Sequence, residues 1–185
     1  LVDLSSPLVM AIVNITPDSF YTSWGNTTLQ DVLNRVQRLV DQGADIIDIG
    51  ACSTRHGSIP VETEEEWSRL EPVLKAIRTH FPNAILSVDT FRAEIAEKAI
   101  LAGADMINDV YGGNADCKMW EVIAKHHVPY VLTCACELPT DSKDYDYTMS
   151  YVVDFFQNKL AKLHRMGLAD IIIDPGFGFA KTDIY

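Results

Sequence analysis

The sequence predicts an α/β fold of parallel strands whose C-terminal ends form one working face. Three observations predict it. Six short apolar runs recur along the 185 residues, stretches of helical spacing separate them, and each run ends in a polar, chemically useful residue. The runs are nearly continuous rather than alternating, which is how strands read when both of their faces are buried.

Taken in order, the apolar run VMAIV ending at Asn14 is the first strand. Thr28 to Asp41 then carries Leu29, Val32, Leu33, Val36, Leu39 and Val40 at i, i+3, i+4 intervals, an amphipathic helix stopped by Gly43. DIIDIG is the second strand and leads into Cys52, Ser53, Thr54 and Arg55. Thr63-Glu64-Glu65-Glu66 reads as a capping box in which Glu66 answers Thr63, and its acidic run suits a positive helix N-terminus. That helix runs to about His80, before Pro82. AILSV ending at Asp89 is the third strand, followed by a helix from Arg92 to Leu101 and by Gly103. DMI ending at Asn108 and Asp109 is the fourth, followed by a helix from Asp116 to His127 before Pro129. YVLT ending at Cys134 is the fifth, and Tyr147 to Met166, then Gly167, is the longest helix. DIII ending at Asp174 is the sixth strand.

Strand then helix, repeated, leaves two layouts: an open doubly wound sheet or a closed barrel. A doubly wound nucleotide binder carries G-x-G-x-x-G after its first strand. Here the first strand is followed by Asn14-Ile15-Thr16-Pro17-Asp18-Ser19-Phe20. Polar residues at every strand end fit a barrel, where all strand C-termini point into one mouth. The expected fold is a (β/α)8 TIM-type barrel with about six of its eight strands present. Residues 1–185 are then a single barrel domain lacking the last two βα units. An open six-stranded arc is expected to expose backbone edges at its first and last strands.

Composition bounds the function. A hydrophobic content of 48% and a charged content of 22% are ordinary for a globular domain. The net charge of −11 argues against a nucleic-acid binder, which shows a basic stripe. It leaves open an anionic small molecule held by a few local cations. No stretch is long and apolar enough to span a bilayer, and LVDLSSPLVM lacks the basic start of a signal peptide. The cysteines at 52, 117, 134 and 136 do not form a disulfide framework, which points to a reducing, cytoplasmic compartment. Cys134-x-Cys136 has no second ligand pair at zinc spacing. Gly176-x-Gly178 before Lys181 lacks the Walker spacing.

At these residues the chain resembles dihydropteroate synthase. Asn14 to Phe20 is similar to that family's signature N-[VI]-T-P-D-S-F. Asp48-Ile49-Gly50 with Ser53-Thr54-Arg55 is similar to D-I-G-x-x-S-T-R-P-G. Ser87-Val88-Asp89-Thr90, Ile107-Asn108-Asp109 and Asp174-Pro175-Gly176-Phe177-Gly178-Phe179 fit the later strand-end motifs. The resemblance implies condensation of 6-hydroxymethyl-7,8-dihydropterin pyrophosphate with p-aminobenzoate, giving 7,8-dihydropteroate and pyrophosphate. It also implies Mg²⁺, a homodimer and sensitivity to sulfonamides.

The resemblance assigns Asp89, Asn108 and Asp174 to the pterin pocket, where carboxylates and an amide suit an aminopyrimidinone edge. Asn14 becomes the metal-side residue, since Mg²⁺ needs few protein ligands. Asp89, Asn14 and Arg55 are the expected catalytic set. Asp18, Phe20, Thr54 and Arg55 lie on the loops that close over the second substrate, Phe179 lines the p-aminobenzoate site, and Lys181 is a further binding residue. Alternatives stand beside these roles. Asp and Asn also cap helices after strands, Arg55 also reads as a surface loop arginine, and Phe179 as an apolar anchor.

Departures from the family pattern are visible. Thr133-Cys134-Ala135 stands where M-H-M is usual, Ala51-Cys52 where G-E is common, His56 where Pro is common, and Ala180 where Gly is usual. The family's strand-7 lysine and strand-8 Arg-x-His have no counterpart in these residues, so this polypeptide alone is expected to turn over poorly or not at all. Two other readings remain: a noncatalytic pterin-binding homologue, and a methyltetrahydrofolate:corrinoid methyltransferase-like barrel. The N-I-T-P-D-S-F segment and the S-T-R loop favour the synthase over the latter.

Overall fold

The computed structural model describes residues 5–15, 28–53, 60–135 and 145–177. They form β1 (Met10–Asn14), α1 (Leu29–Asp41), β2 (Ile46–Gly50), α2 (Thr63–His80), β3 (Ile85–Asp89), α3 (Ala93–Leu101), β4 (Met106–Asp109), α4 (Met119–His126), β5 (Tyr130–Thr133), α5 (Tyr145–Arg165) and β6 (Ile171–Asp174). Each apolar run of the sequence is a strand. All pair in parallel, in the order β1-β2-β3-β4-β5-β6. Consecutive parallel neighbours joined by helices are the plan of a (β/α) barrel.

Helix boundaries follow local chemistry. Thr28 caps α1 with its side chain on Asp31 N, while the Asp31 carboxylate accepts from Thr28 N at 2.8 Å. Gly43, Gly103 and Gly167 close α1, α3 and α5 at φ of 93°, 106° and 85°, conformations that glycine adopts without steric cost. Two expectations need correction. The Thr63–Glu66 capping box does not form: Glu62 is the N-cap without a side-chain bond, and Thr63 already lies inside the helix. Glu66 is instead fully buried, accepting from Thr90 Oγ1 at 2.7 Å and pairing with Arg92. Helix α4 starts at Met119 rather than Asp116, because Asp116 spends its oxygens on Ala93 N (2.8 Å) and Lys118 N (3.0 Å).

The strands divide two cores by their alternation. Val13, Ile47, Ile49, Leu86, Val88, Ile107, Tyr130 and Leu132 face the helices and pack with Val36, Leu74, Ile77, Ile95 and Ile123. On the other face, Ile46, Met106 and Val131 pack with Met10, Ile85 and Ile172 as a smaller apolar cluster, the floor of the barrel interior. Each fully buried Ile or Leu contributes about 1.5–3 kcal/mol, so the helix-side layer dominates stability. Among the described residues β1 and β6 are paired on one side only. At these margins Ile12 and Ile173 are 58% and 52% exposed, as an open arc requires.

At the N-terminal end of the strands, Arg78 of α2 ties four groups together. Its guanidinium donates to the carbonyls of Pro82, Ala84 and Gly103 and pairs with Asp105, whose Oδ2 also accepts from Leu86 N. A cleft of about 340 Å³ opens nearby, lined by Val40, Asp45, Phe81 and Pro82 among others. Its carboxylate, Asp45, is already engaged by Val9 N at 2.8 Å.

Candidate functional site

The polar site stands directly above the apolar floor. Two residues on from Ile46, Ile85, Met106, Val131 and Ile172 come Asp48, Ser87, Asn108, Thr133 and Asp174. Side chains of a strand repeat on one face every second residue, so all five share the interior face. Two further on from Asp48 and Ser87 come Gly50 and Asp89; Asn14 joins them from β1. Register places Asn14, Gly50, Asp89 and Asn108 side by side across four strands.

The close approach at Gly50 explains that glycine. A Cβ there would lie 2.9 Å from Asn14 Oδ1 and 3.3 Å from Asp89 Oδ2. The notch lets two polar side chains converge over β2. Asp89 and Asn108 therefore meet in one layer, as expected from the sequence. Asp174 stands elsewhere: its register partner is Thr133, one pleat higher, and Thr133 Oγ1 reaches Asp174 Oδ2 at 3.5 Å. Such a stagger accumulates with the tilt of barrel strands. Asp174 Oδ1 also accepts from Gly176 N at 2.8 Å, an Asx turn that directs the chain away from β6.

Sequence reasoning quoted Asp48 within a motif but did not select it. It is 3% exposed, and its Oδ2 accepts from Asn108 Nδ2 at 3.1 Å. Period-two counting back from Gly50 is the signal that could have found it. Burial pushes its carboxyl above the usual aspartate range, while the nearby Ser87 hydroxyl and Asn108 amide pull it partly back. Asp89 is pushed well above that range, first by burial and then by the carboxylates of Asp48, Asp109 and Glu66. Asp48 Oδ1, Asp89 Oδ1 and Ser87 Oγ are buried with no well-formed hydrogen bond among the described residues. A buried polar atom without a partner costs about 1–3 kcal/mol. Three of them around one apolar floor constitute a surface suited to a flat ligand with N–H donors.

Asp109, adjacent in sequence to Asn108, points the other way. It accepts from Tyr130 Oη (2.7 Å), Gly113 N (2.7 Å) and Tyr111 N (2.9 Å), bracing the β4–α4 connection from the helix side. Glu66 and Arg92 brace a second junction, where Arg92 also donates to the Val61 carbonyl. Asp18, Phe20, Thr54, Arg55, Phe179 and Lys181 lie outside the described residues, as does Cys136. Cys52 and Cys134 are buried, and burial raises the Cys52 thiol.

Among the described residues no three His, Cys, Asp or Glu side chains gather at metal-holding geometry. Asn14 Oδ1, a hard amide oxygen, lies over Gly50 at the mouth beside Asp89 Oδ2. That fits Mg²⁺, which keeps waters and substrate oxygens, and does not fit an ion needing an all-protein cage. No helix among the described residues is long and apolar enough to cross a membrane.

Comparison with known proteins gives the family of the chain. Residues 10–184 match the family described as pterin binding enzyme. The chain is 39% identical over 176 residues to a dihydropteroate synthase of Clostridium beijerinckii, covering 94% of this chain and 64% of that protein. Among solved structures, Xanthomonas albilineans dihydropteroate synthase with 4-aminobenzoic acid superposes with a TM-score of 0.84 at 38% identity, covering 96% of this chain and 64% of that one. Yersinia pestis dihydropteroate synthase with a sulfonamide drug complex gives a TM-score of 0.87 at 37% identity, covering 98% and 67%. The chain thus spans less than two thirds of the curated relative it matches at 39% identity. With a polar row over an apolar floor at the strand C-termini, and a match running through all six strands, the chain belongs to the pterin binding enzyme family.

Proposed function

We propose that this chain supplies the pterin pocket of a dihydropteroate synthase. The observation that carries the reading is the interior row of Asp48, Asp89 and Asn108, whose buried carboxylate oxygens lack a well-formed hydrogen bond among the described residues, above an apolar floor. A pterin offers a flat ring to the floor and an aminopyrimidinone edge to the row. Asp89 and Asn108 bind that edge, with Asp174 one pleat higher holding the far side. Thr54, Arg55, Asp18, Phe20, Phe179 and Lys181 belong to this proposal as contacts to p-aminobenzoate and the phosphates.

In the reaction, the C–O bond between the pterin methylene and pyrophosphate breaks and a C–N bond to the p-aminobenzoate amine forms. The amine gives up its proton, and pyrophosphate leaves with the bonding pair. The chain's own residues orient the ring and keep the methylene aimed at the mouth, a positioning role more than a covalent one. Mg²⁺, when bound, neutralises the leaving phosphates; Asn14 is the residue that would hold it. The reading includes a cytoplasmic homodimer and sulfonamide sensitivity, the last supported by the likeness to the drug-bound relative.

Calorimetric titration tests it. 6-Hydroxymethylpterin should bind this chain, and p-aminobenzoate should bind after pyrophosphate and Mg²⁺ are added to the protein that carries it. Pterin binding without the second step would point to a noncatalytic pterin binder. No pterin binding would overturn the reading.

A further inference from the structure

The Asp48–Asn108 hydrogen bond joins residues of β2 and β4, and β3 runs between them. Neighbouring strands lie about 4.8 Å apart, so these two backbones are roughly 10 Å from one another. A 3.1 Å contact across that gap requires both side chains to lean over β3. They can do so because Ser87, in register with Asp48, is small. The bond therefore forms above the floor, with Asp89 the next interior residue of β3.

A carboxamide has two unlike ends, and its orientation decides what it offers. The Asp48 carboxylate is a strong acceptor, so it takes the NH2 end of Asn108. That turns Asn108 Oδ1 away from Asp48 and makes Asn108 an acceptor toward the mouth. With Asp89 beside it, the row presents acceptors to a ligand edge made of N–H groups. Were the amide reversed, it would present donors and repel the same edge.

We infer that Asp48 is a positioning and specificity-determining residue, which fixes the Asn108 carboxamide so that its oxygen faces the N–H edge of the bound heterocycle. This rests on the pterin reading above. Asp48 acts on Asn108 through its Oδ2, and Ser87 keeps the space through which it acts.

The test is a double-mutant cycle read by calorimetry with 6-hydroxymethylpterin. Asp48→Leu should weaken binding about tenfold or more, the scale of one misdirected buried hydrogen bond. Asp48→Asn should stay within about threefold, because the substituted amide oxygen still accepts from Asn108. Asn108→Ala should weaken binding comparably to Asp48→Leu, and adding Asp48→Leu to it should change affinity less than about threefold, the mark of one shared interaction. Asp48→Ala gives the same arithmetic where the leucine variant does not fold. Full affinity in Asp48→Leu, or losses that add in the double variant, would overturn the inference while leaving the pterin reading intact. Absence of pterin binding by the unsubstituted protein would instead sink the reading on which it rests.

Discussion

Two sets of buried carboxylates occupy this molecule, and they are treated in opposite ways. Asp109 and Glu66, 1% and 0% exposed, are surrounded by donors: a tyrosine hydroxyl and two backbone amides for one, a threonine hydroxyl and an arginine for the other. Asp48 and Asp89 face the barrel interior, and each keeps a buried oxygen with no well-formed hydrogen bond among the described residues. All four are carboxylates; Asp48, Asp109 and Glu66 are buried, and Asp89 is part-buried with one buried oxygen. Satisfied carboxylates brace loops; unsatisfied ones on a common face mark the place where a ligand supplies the missing donors. The comparison separates structure from function more sharply than burial or charge alone.

The largest expected effect lies on the bracing side. Asp109→Ala strands the Tyr130 hydroxyl and two amides and should cost about 3 kcal/mol. For a chain of this length that is a fall of roughly 10 °C in the unfolding midpoint. A midpoint within about 2 °C of the parent would show that Asp109 braces nothing. On the interior side the sign reverses. Asp89→Asn keeps the shape and removes a like charge, so stability should rise by about 1 kcal/mol, in the range of such stabilising changes. Its pterin affinity should fall at least about tenfold. A variant that lost stability and kept affinity would erase the distinction between the two sets.

Smaller effects sharpen the same contrast. Gly50→Ala drives a methyl against Asn14 Oδ1 and Asp89 Oδ2 and must displace both. Titration should show a pterin affinity lowered about fivefold with stability changed by less than about 1 kcal/mol, since the disturbance falls on polar side chains rather than on the core. The smallest effect is a pH slope. Asp48 and Asp89 hold their protons more tightly folded than unfolded, against an ordinary value of 3.8. From about pH 4 upward the unfolded chain ionises first, so this part of the stability is full at lower pH and is lost as pH rises through the raised values. Urea melts of the unliganded protein should show that decline, and the Asp48→Asn, Asp89→Asn double variant should shrink it to the part left by Asp109, whose carboxyl burial also raises. An unchanged slope would mean the two carboxyls are not the ones titrating.

Much of this was legible in the sequence, because it is local. Apolar runs ending at Asn14, Asp89, Asn108 and Asp174 gave the strand C-termini directly, and Thr28 with Asp31 placed the start of α1. The errors came where partners are distant. Thr63 and Glu66 have capping-box spacing, but Glu66 finds Arg92, 26 residues on, and a buried ion pair outranks an exposed cap. Asp116 looks like a helix start until Ala93 N claims it. Asp48 carries only the period-two sign of its face, since its role depends on Asn108, 60 residues away. Asp174 shares the interior face with Asp89 and Asn108, and only its height, beside Thr133, depends on strand shear.

The Arg78 knot at the far end of the strands has a consequence for drift. Three of its acceptors, at Pro82, Ala84 and Gly103, are main-chain carbonyls, which every residue type possesses. Side chains at 82 and 84 can therefore be exchanged without removing an acceptor from the knot. Arginine itself is not exchangeable, because lysine brings a point charge where a planar fork of five donors is needed. One end of this fold is thus tied by an arginine that, with Asp105, reads the path of the backbone rather than the side chains of the turns around it.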